Sequence, residues 1–296
     1  MLLGAAAPKV DPAIAGWAYI VARTPPPPGG WNATAPRTLP GSTATFTDAQ
    51  LHDLSRAVDW FPKRHAQLPP AVAGKGDIPA CGSCHLPGGE GRVENASLAG
   101  LPTAYIREQV AAFAAGTRTS AVPGYVPTAF MATVAHQVAP AEIAAAARYF
   151  TRQRYTTHIR VVEAATVPAM TAHDFILSRA PGGGSEAIAG RIVETPDDID
   201  AFEKHDPRGT FTAYVPPGSL VAGAAVAERV GCVTCHGAGM KLWGAGRSPT
   251  YIFRQLLAFK TGARHDAEAA PMTAVAEQLS PADMVAVAAY WGSLKP

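Results

Sequence analysis

The feature that most constrains this chain is a short cysteine motif that occurs twice. All four cysteines of the 296-residue chain lie in two Cys-x-x-Cys-His segments. This pattern is the attachment signature for c-type haem. Two intervening residues place both thiols against the vinyl groups on one edge of the porphyrin, and the next residue, a histidine, comes under the ring. We therefore predict two covalently bound haem c groups, with thioethers at Cys81, Cys84, Cys232 and Cys235 and with His85 and His236 on the two irons.

Three other uses of paired cysteines fit the sequence less well. A zinc site needs further cysteines or histidines at finger spacing, and neither motif has them nearby. A thioredoxin-like redox pair belongs in a βαβ unit, whereas proline and glycine surround Cys81. A disulfide framework gives no reason for a histidine after both pairs. The two motifs together therefore favour haem attachment.

The segments that follow the motifs are also repeated. Residues 105–118 and 251–264 are identical at seven of fourteen positions, and residues 131–150 resemble residues 272–291. The offset between the copies is 151 at the first cysteine, 146 at Tyr105 and Tyr251, and 141 at Met131 and Met272. The first copy thus carries five extra residues in each of two loops. This pattern predicts a duplicated domain.

The repeat also selects candidates for the sixth iron ligands. Met131 is the only methionine between His85 and residue 169, and Met272 aligns with it. We therefore predict that Met131 binds the first iron and Met272 the second, with packing in a hydrophobic core as the other explanation. Met240 follows His236 too closely to reach the opposite face of the ring, and Met284 falls on the apolar stripe of the last helix. The histidines that remain as alternative ligands are His136 and His265.

Helix signals accompany both copies. Ser248-Pro249 is typical of an N-cap followed by the first helical residue, and Ser280 with Asp283 resembles a capping box. Arg118 and Arg264 end the two Phe-x-x-Gly-x-Arg segments, where they are candidates for contacts with haem propionates, although solvent exposure explains them equally well.

Taken together, these motifs resemble the di-haem class I cytochromes c of the cytochrome c4 group. Each copy has Cys-x-x-Cys-His, a Tyr…Phe-x-x-Gly-x-Arg helix, a methionine and a final alanine-rich helix. The resemblance covers roughly residues 75–153 and 222–296. It implies a mainly α protein with two tandem cytochrome c domains that pass electrons. We predict an N-terminal extension at 1–70, the first domain at 71–155, a connecting insert at 156–221 and the second domain at 222–296.

The extension and the insert depart from that family pattern. Residues 25–40 are rich in proline and glycine and are expected to be extended, and Thr47 with Gln50 predicts a capped helix that continues through Phe61. Short strands are predicted at 159–161, 191–193 and 211–215, where an antiparallel sheet is possible. Three separated histidines lie in the insert, and surface or structural roles are favoured over metal binding: His158, His173 and His205.

The net charge, the hydropathy pattern and the predicted haem limit the classes of function and the location that fit this chain. The net charge of +2, without a basic run, gives no case for nucleic acid, and no stretch of 18 apolar residues predicts a membrane span. Residues 1–7 fit the remnant of a signal peptide or an ordinary flexible terminus equally well. Haem c is attached on the outer side of the bacterial inner membrane, which predicts a periplasmic protein.

The leading hypothesis is an electron carrier rather than an enzyme. Ligation by histidine and methionine fills both axial positions, which suits transfer without substrate at iron. The expected partners are a periplasmic dehydrogenase, an oxidase or another cytochrome. The alternatives are a di-haem peroxidase-like enzyme, which needs one displaceable ligand, and the haem subunit of a larger dehydrogenase. A thiosulfate-dehydrogenase-like enzyme would need a cysteine on iron, and this chain has no spare cysteine.

Overall fold

The structure, a computed structural model, describes residues 10–21 and 34–296. The predictions for residues 1–7 and for the proline run at 25–28 lie outside the described residues. Helix accounts for 43% of the structure and strand for 13%, which confirms the prediction of a mainly α chain. No helix in the described ranges is long and apolar enough to cross a membrane.

The helices carry most of the two repeated segments. In chain order they are α1 (Pro12–Ala18), α2 (Asp48–Leu51), α3 (Pro70–Ala73), α4 (Cys81–His85), α5 (Thr103–Ala114), α6 (Val126–Gln137), α7 (Pro140–Thr151), α8 (Ile199–Glu203), α9 (Ser219–Arg229), α10 (Cys232–His236), α11 (Pro249–Lys260), α12 (Ala270–Glu277) and α13 (Pro281–Ser293). The pairs α5 and α11, α6 and α12, and α7 and α13 occupy equivalent places in the repeat.

The strands are short, and most lie between the two repeated segments. They are β1 (Pro36–Arg37), β2 (Phe46–Thr47), β3 (Ile159–Glu163), β4 (Thr166–Pro168), β5 (Met170–His173), β6 (Ile176–Arg179), β7 (Ser185–Ala187), β8 (Val193–Pro196) and β9 (Phe211–Val215).

Side-chain caps determine where several helices begin. The Ser248 hydroxyl accepts a hydrogen bond from the Tyr251 amide at 3.0 Å, and Ser280 forms a complete capping box with Asp283. Both predicted caps are confirmed. The Thr47 capping box also forms, but the prediction that its helix continues through Phe61 is wrong, because α2 ends at Leu51. Asp53 accepts from the Ser55 amide at 2.9 Å, and this local turn replaces the helical hydrogen bonds.

The largest of the sheets in this part of the chain has the order β3-β9-β8 and is mixed. Strand β8 pairs with β9 in the antiparallel sense, whereas β3 pairs with β9 in parallel, with Ile159 opposite Phe211. The expectation of a purely antiparallel sheet is therefore wrong. The long connection between β3 and β9 lets the chain return in the same direction, which a hairpin would not. Strand β8 also begins at Val193, two residues after the predicted start.

Each repeated segment has its own hydrophobic core. Residues of α5 and α7, including Ile106 and Phe150, pack together in the first. In the second, α9, α11 and α13 pack together, and α1 joins them, with the ring of Trp17 centred 4.6 Å from that of Phe253. Helix α1 of the N-terminal extension therefore packs against the second copy of the repeat.

The two copies meet at equivalent positions. Arg118 and Arg264, which are 146 residues apart as in the repeat, form an antiparallel backbone bridge. The Thr119 amide donates to the Ala263 carbonyl at 2.7 Å, and the His265 amide donates to the Thr117 carbonyl at 2.9 Å. Equivalent loops thus face each other across an approximate two-fold axis.

Candidate haem sites

The first Cys-x-x-Cys-His motif forms α4, which is packed closely against its neighbours. A Cβ atom on Gly82 would lie 2.7 Å from the Val72 carbonyl oxygen and 2.8 Å from Cβ of Ala57. Glycine at this position lets α4 approach the backbone of α3. The two thiols, Cys81 and Cys84, are half-buried, and burial raises the pKa of both.

The histidine of the first motif is held in one orientation. Nδ1 of His85 lies 2.7 Å from the carbonyl oxygen of Ala96. A carbonyl oxygen only accepts hydrogen bonds, so Nδ1 carries the proton and Nε2 keeps its lone pair. Burial also lowers the pKa of His85 and favours the neutral ring. This is the state in which imidazole coordinates a metal through Nε2.

A cavity of about 230 Å³ adjoins this histidine. Cys81, Cys84 and His85 line it, and so does Met131 from α6. The structure thus brings together both predicted thioether cysteines and both predicted iron ligands of the first site. The rest of the lining includes many apolar side chains, as a porphyrin plane requires; examples are Leu101, Ile106, Val134 and Phe150. The residues present therefore fit a covalently attached haem.

The two arginines predicted to contact haem propionates are buried between the two copies of the repeat. Arg118 is 7% exposed and Arg264 is 5% exposed. Arg118 donates to Gln109 at 2.7 Å and to Tyr251 at 2.8 Å, while Arg264 donates to Gln109 at 2.7 Å and to Gln255 at 3.1 Å. No carboxylate in the described part of the chain forms an ion pair with either guanidinium.

This arrangement leaves two buried positive charges with neutral partners. Burial alone would raise the pKa of Tyr251, but Arg118 and Arg264 outweigh that effect and lower it. Arg118, Tyr251 and Gln255 also line the cavity beside His85. Buried charges are costly without a partner of opposite sign, so an anionic group such as a haem propionate fits this wall of the cavity.

The second motif is packed differently. The ring of His236 is centred 4.4 Å from the ring of Trp291 and 5.5 Å from the ring of Trp243. Its Nδ1 is buried and forms no hydrogen bond of normal geometry with any described residue. Burial lowers the pKa of His236, and the backbone of Leu242 offsets part of this effect. Cys232 is half-buried and Cys235 is exposed. The two thiols and the histidine are the residue types that haem c attachment uses, and the Trp291 ring packs against this histidine.

The methionines of the second copy lie in different surroundings. Met240 and Met284 are fully buried in the hydrophobic core. Met272 lies in α12, where it is half-buried and packs against Phe259. Its assignment as an iron ligand stays a prediction. The fallback ligands His136 and His265 are both exposed.

The histidines of the central region have separate partners. Nε2 of His173 lies 2.6 Å from a carboxylate oxygen of Glu203, and His158 lines the cavity of the first motif. Burial lowers the pKa of His205 well below its usual value. Among residues 10–21 and 34–296, no three histidine, cysteine or acidic side chains form a group that could hold a metal ion.

Sequence reasoning missed several residues around the first cavity. Trp243, Arg247 and Tyr251 line it, although all three belong to the second copy. The repeat offers no signal for Arg247, because its counterpart is Leu101. A signal did exist for Trp291, which occupies the position of the cavity-lining Phe150 in the repeat.

Comparison with known proteins finds relatives among solved structures only. No family model matches the chain, and no curated protein matches it. Cytochrome c4 from Acidithiobacillus ferrooxidans is 21% identical over 72% of this chain and 98% of its own, with a TM-score of 0.47. Cytochrome c4 from Pseudomonas stutzeri is 20% identical over 77% of this chain and 100% of its own, also with a TM-score of 0.47.

A thiosulfate dehydrogenase from Marichromatium purpuratum is also similar. It is 26% identical over 74% of this chain, with a TM-score of 0.46. The chain spans only 37% of the length of that dehydrogenase. Two of these three structures are thus cytochromes c4, the family that the sequence motifs resemble. Because all three TM-scores are below 0.5, the function proposed below rests on the residues of this chain.

Proposed function

We propose that this chain is a di-haem c-type cytochrome that transfers electrons between redox proteins of the bacterial periplasm. The observation that carries the proposal is the cavity beside α4. Both thiols of the motif, a histidine with a free Nε2 and Met131 line this one space. Haem c supplies one-electron chemistry when bound, through the ferrous and ferric states of its iron.

Each residue of the first site has a separate role in the proposed haem binding. Cys81 and Cys84 would tether the porphyrin. The Ala96 carbonyl keeps the proton of His85 on Nδ1, which leaves Nε2 able to hold the iron. Met131, which lines the same cavity, would hold the iron together with His85. With protein side chains as its ligands, the iron would exchange electrons without binding a substrate.

The second site follows from the repeat. We propose that Cys232 and Cys235 hold a second haem c, with His236 and Met272 as its ligands. The two cytochrome domains would then be 71–155 and 222–296, joined by the insert at 156–221 and preceded by the extension at 1–70. Arg118 and Arg264 lie between the domains, where their uncompensated charges suit haem propionates.

The proposed partners are redox proteins. A periplasmic dehydrogenase or a membrane complex would donate electrons, and an oxidase or another cytochrome would accept them. The chain would act as a carrier or as the haem subunit of a larger dehydrogenase. An activity like that of the similar thiosulfate dehydrogenase is a weaker candidate, because all four cysteines are used for haem attachment and none is left as an iron ligand.

The test combines mass and optical spectra of the protein purified from a periplasmic expression host. The intact mass should exceed that of the polypeptide by two haems, and the Cys81→Ala/Cys84→Ala variant should carry one. Met131→Ala and Met272→Ala should each remove part of the methionine–iron charge-transfer absorption of the ferric protein. Met284→Ala is the matched control, because Met284 is buried in the core, and it should leave that absorption unchanged.

Peroxide distinguishes the carrier from the peroxidase-like alternative. Two low-spin haems that do not turn over peroxide would support the carrier. A high-spin haem with peroxidase turnover in the unaltered protein would assign the chain to the enzyme class instead. A polypeptide mass without added haem would refute both.

A further inference from the structure

Arg247 reaches from the second copy of the repeat into the first. One guanidinium nitrogen, Nη1, donates to the carbonyl oxygen of Ser97 at 2.8 Å, and Nη2 donates to that of Ala99 at 2.7 Å. The planar fork of arginine thus binds two alternate carbonyl groups of one short segment.

That segment is the one that orients His85. The carbonyl of Ala96, which accepts the Nδ1 proton of His85 at 2.7 Å, immediately precedes the two groups that Arg247 binds. Elsewhere the segment is attached within the first copy, where the Ser97 hydroxyl and the Ala99 amide both bond to the Gly89 carbonyl. Arg247 therefore fixes the side of the segment that faces the second copy.

Arg247 is itself held firmly. Its guanidinium lies 4.1 Å from the centre of the Tyr155 ring. The carbonyl of the preceding residue, Gly246, accepts from the Tyr155 hydroxyl at 2.6 Å and from the Thr157 hydroxyl at 2.8 Å. Gly246 has a φ of +71°, and a Cβ atom there would lie 3.0 Å from Cβ of Thr157. The backbone that carries Arg247 has little freedom to move.

Among the described residues, the first copy has no equivalent contact that reaches into the second. At the repeat offset of 146, the counterpart of Arg247 in the first copy is Leu101, whose side chain has no charge and no hydrogen-bond donor. His236 correspondingly has a buried Nδ1 without a hydrogen-bond partner of normal geometry among the described residues. The two proximal histidines are thus held by different means.

We propose that Arg247 is a positioning residue for the first haem. It clamps residues 97–99 so that the Ala96 carbonyl keeps the imidazole of His85 in one orientation and with one donor strength toward iron. The second domain thereby tunes the proximal ligand of the first. This inference rests on the proposed function, in which His85 coordinates a haem iron.

The test uses the holoprotein and two variants of the same residue. Arg247→Lys keeps the positive charge but loses the fork, and Arg247→Gln loses both. The readouts are the EPR g-values of the low-spin ferric haems and a potentiometric titration of each haem. We expect both variants to change the g-values of one haem and to shift its midpoint potential, with the other haem unchanged. Arg148→Gln, on the exposed face of α7, is the charge-matched control and should leave both readouts as in wild type.

The outcomes separate positioning from charge. If Arg247→Lys has wild-type g-values and only Arg247→Gln shifts the potential, the residue acts through its charge and the proposal is wrong. Unchanged g-values and potentials in both variants would also overturn it. If the variants do not fold, Tyr155→Leu, which removes the ring beneath the guanidinium, should change the same g-values. A wild-type protein without haem at Cys81 and Cys84 would instead refute the proposed function.

Discussion

Glu194 is a buried carboxyl group at the junction of β8 and α11. It is 2% exposed. Its Oε2 accepts hydrogen bonds from the Ser248 hydroxyl at 2.8 Å and from the Thr250 amide at 3.0 Å, whereas Oε1 is buried without a partner in the described structure. Burial raises the pKa of Glu194, although these hydrogen bonds and the charge of Arg254 oppose the shift.

This raised pKa predicts a specific pH dependence of stability. The folded state favours the protonated acid, so the contribution of Glu194 is fully present below the usual glutamate pKa. It declines as the pH rises from that value through the raised pKa of the folded state. Glu194→Gln should remove this decline. Urea unfolding between pH 4 and pH 8 measures it as the difference between the two curves.

Glu228→Gln is the control for that experiment. Glu228 is exposed on α9, and its replacement should leave the slope of stability against pH unchanged. If wild type and Glu194→Gln gave parallel curves, Glu194 would have the same pKa in both states.

Helix positions depend on small residues where two elements cross. Helix α9 packs against α13 at Gly223, where a Cβ atom would overlap the carbonyl of Ala286 and lie 2.6 Å from Cβ of Tyr290. Helix α13 also carries Trp291, whose indole donates to the Met240 carbonyl at 2.6 Å and contacts His236. The close contact at Gly223 thus supports the wall beside the second motif.

Gly223→Ala should therefore destabilise the protein although alanine is the better helix former. Separation of the two helices is expected to cost about 1–3 kcal/mol of the free energy of unfolding. Denaturant titration followed by circular dichroism measures this loss. Val221→Ala, at a position on the same helix that is 78% exposed, should change stability by no more than about 0.5 kcal/mol. A Gly223→Ala protein more stable than wild type would contradict the close packing.

At the scale of the whole molecule, two glutamines join the copies of the repeat. Oε1 of Gln109 accepts from Arg118 and from Arg264, both at 2.7 Å, and Gln255 accepts from the same two arginines at 2.9 Å and 3.1 Å. Gln109 belongs to the first copy and Gln255 to the second, and each accepts hydrogen bonds from one arginine of each copy. These four side chains therefore form a single polar network between the copies.

Gln109→Leu should weaken this network strongly. It leaves buried guanidinium donors of two arginines unpaired, which we expect to cost about 2–4 kcal/mol in the free energy of unfolding. Chemical denaturation of the holoprotein measures the change. Glu108→Gln, at an exposed position of the same helix, is the control and should be close to neutral.

A second substitution tests whether the network acts as a unit. The losses in Gln109→Leu and Gln255→Leu should not add in the double variant, because both remove partners of the same two arginines. Strict additivity would indicate that the two glutamines contribute independently.

Several features could be predicted from the sequence because they depend on local chemistry. Cys81, Cys84 and His85 are close in sequence, and the short helix α4 holds all three together. The caps at Ser248 and Ser280 involve residues only three positions apart, so their hydrogen bonds do not depend on the rest of the fold. The repeat likewise identified the arginine pair that meets between the copies.

Other features depend on contacts between distant residues, which no local pattern records. The parallel pairing of β3 with β9 and the packing of α1 against α11 belong to this group.

The sequence by itself determined the repeat and the helix caps, and it predicted haem attachment, because motifs and caps consist of residues at short fixed spacings. Only the tertiary structure decided how the two sites differ. It places Arg247 on the segment that orients His85 and packs Trp291 against His236. The physical reason is that two nearly identical motifs acquire different properties from the side chains that surround them, and those side chains come from distant parts of the chain.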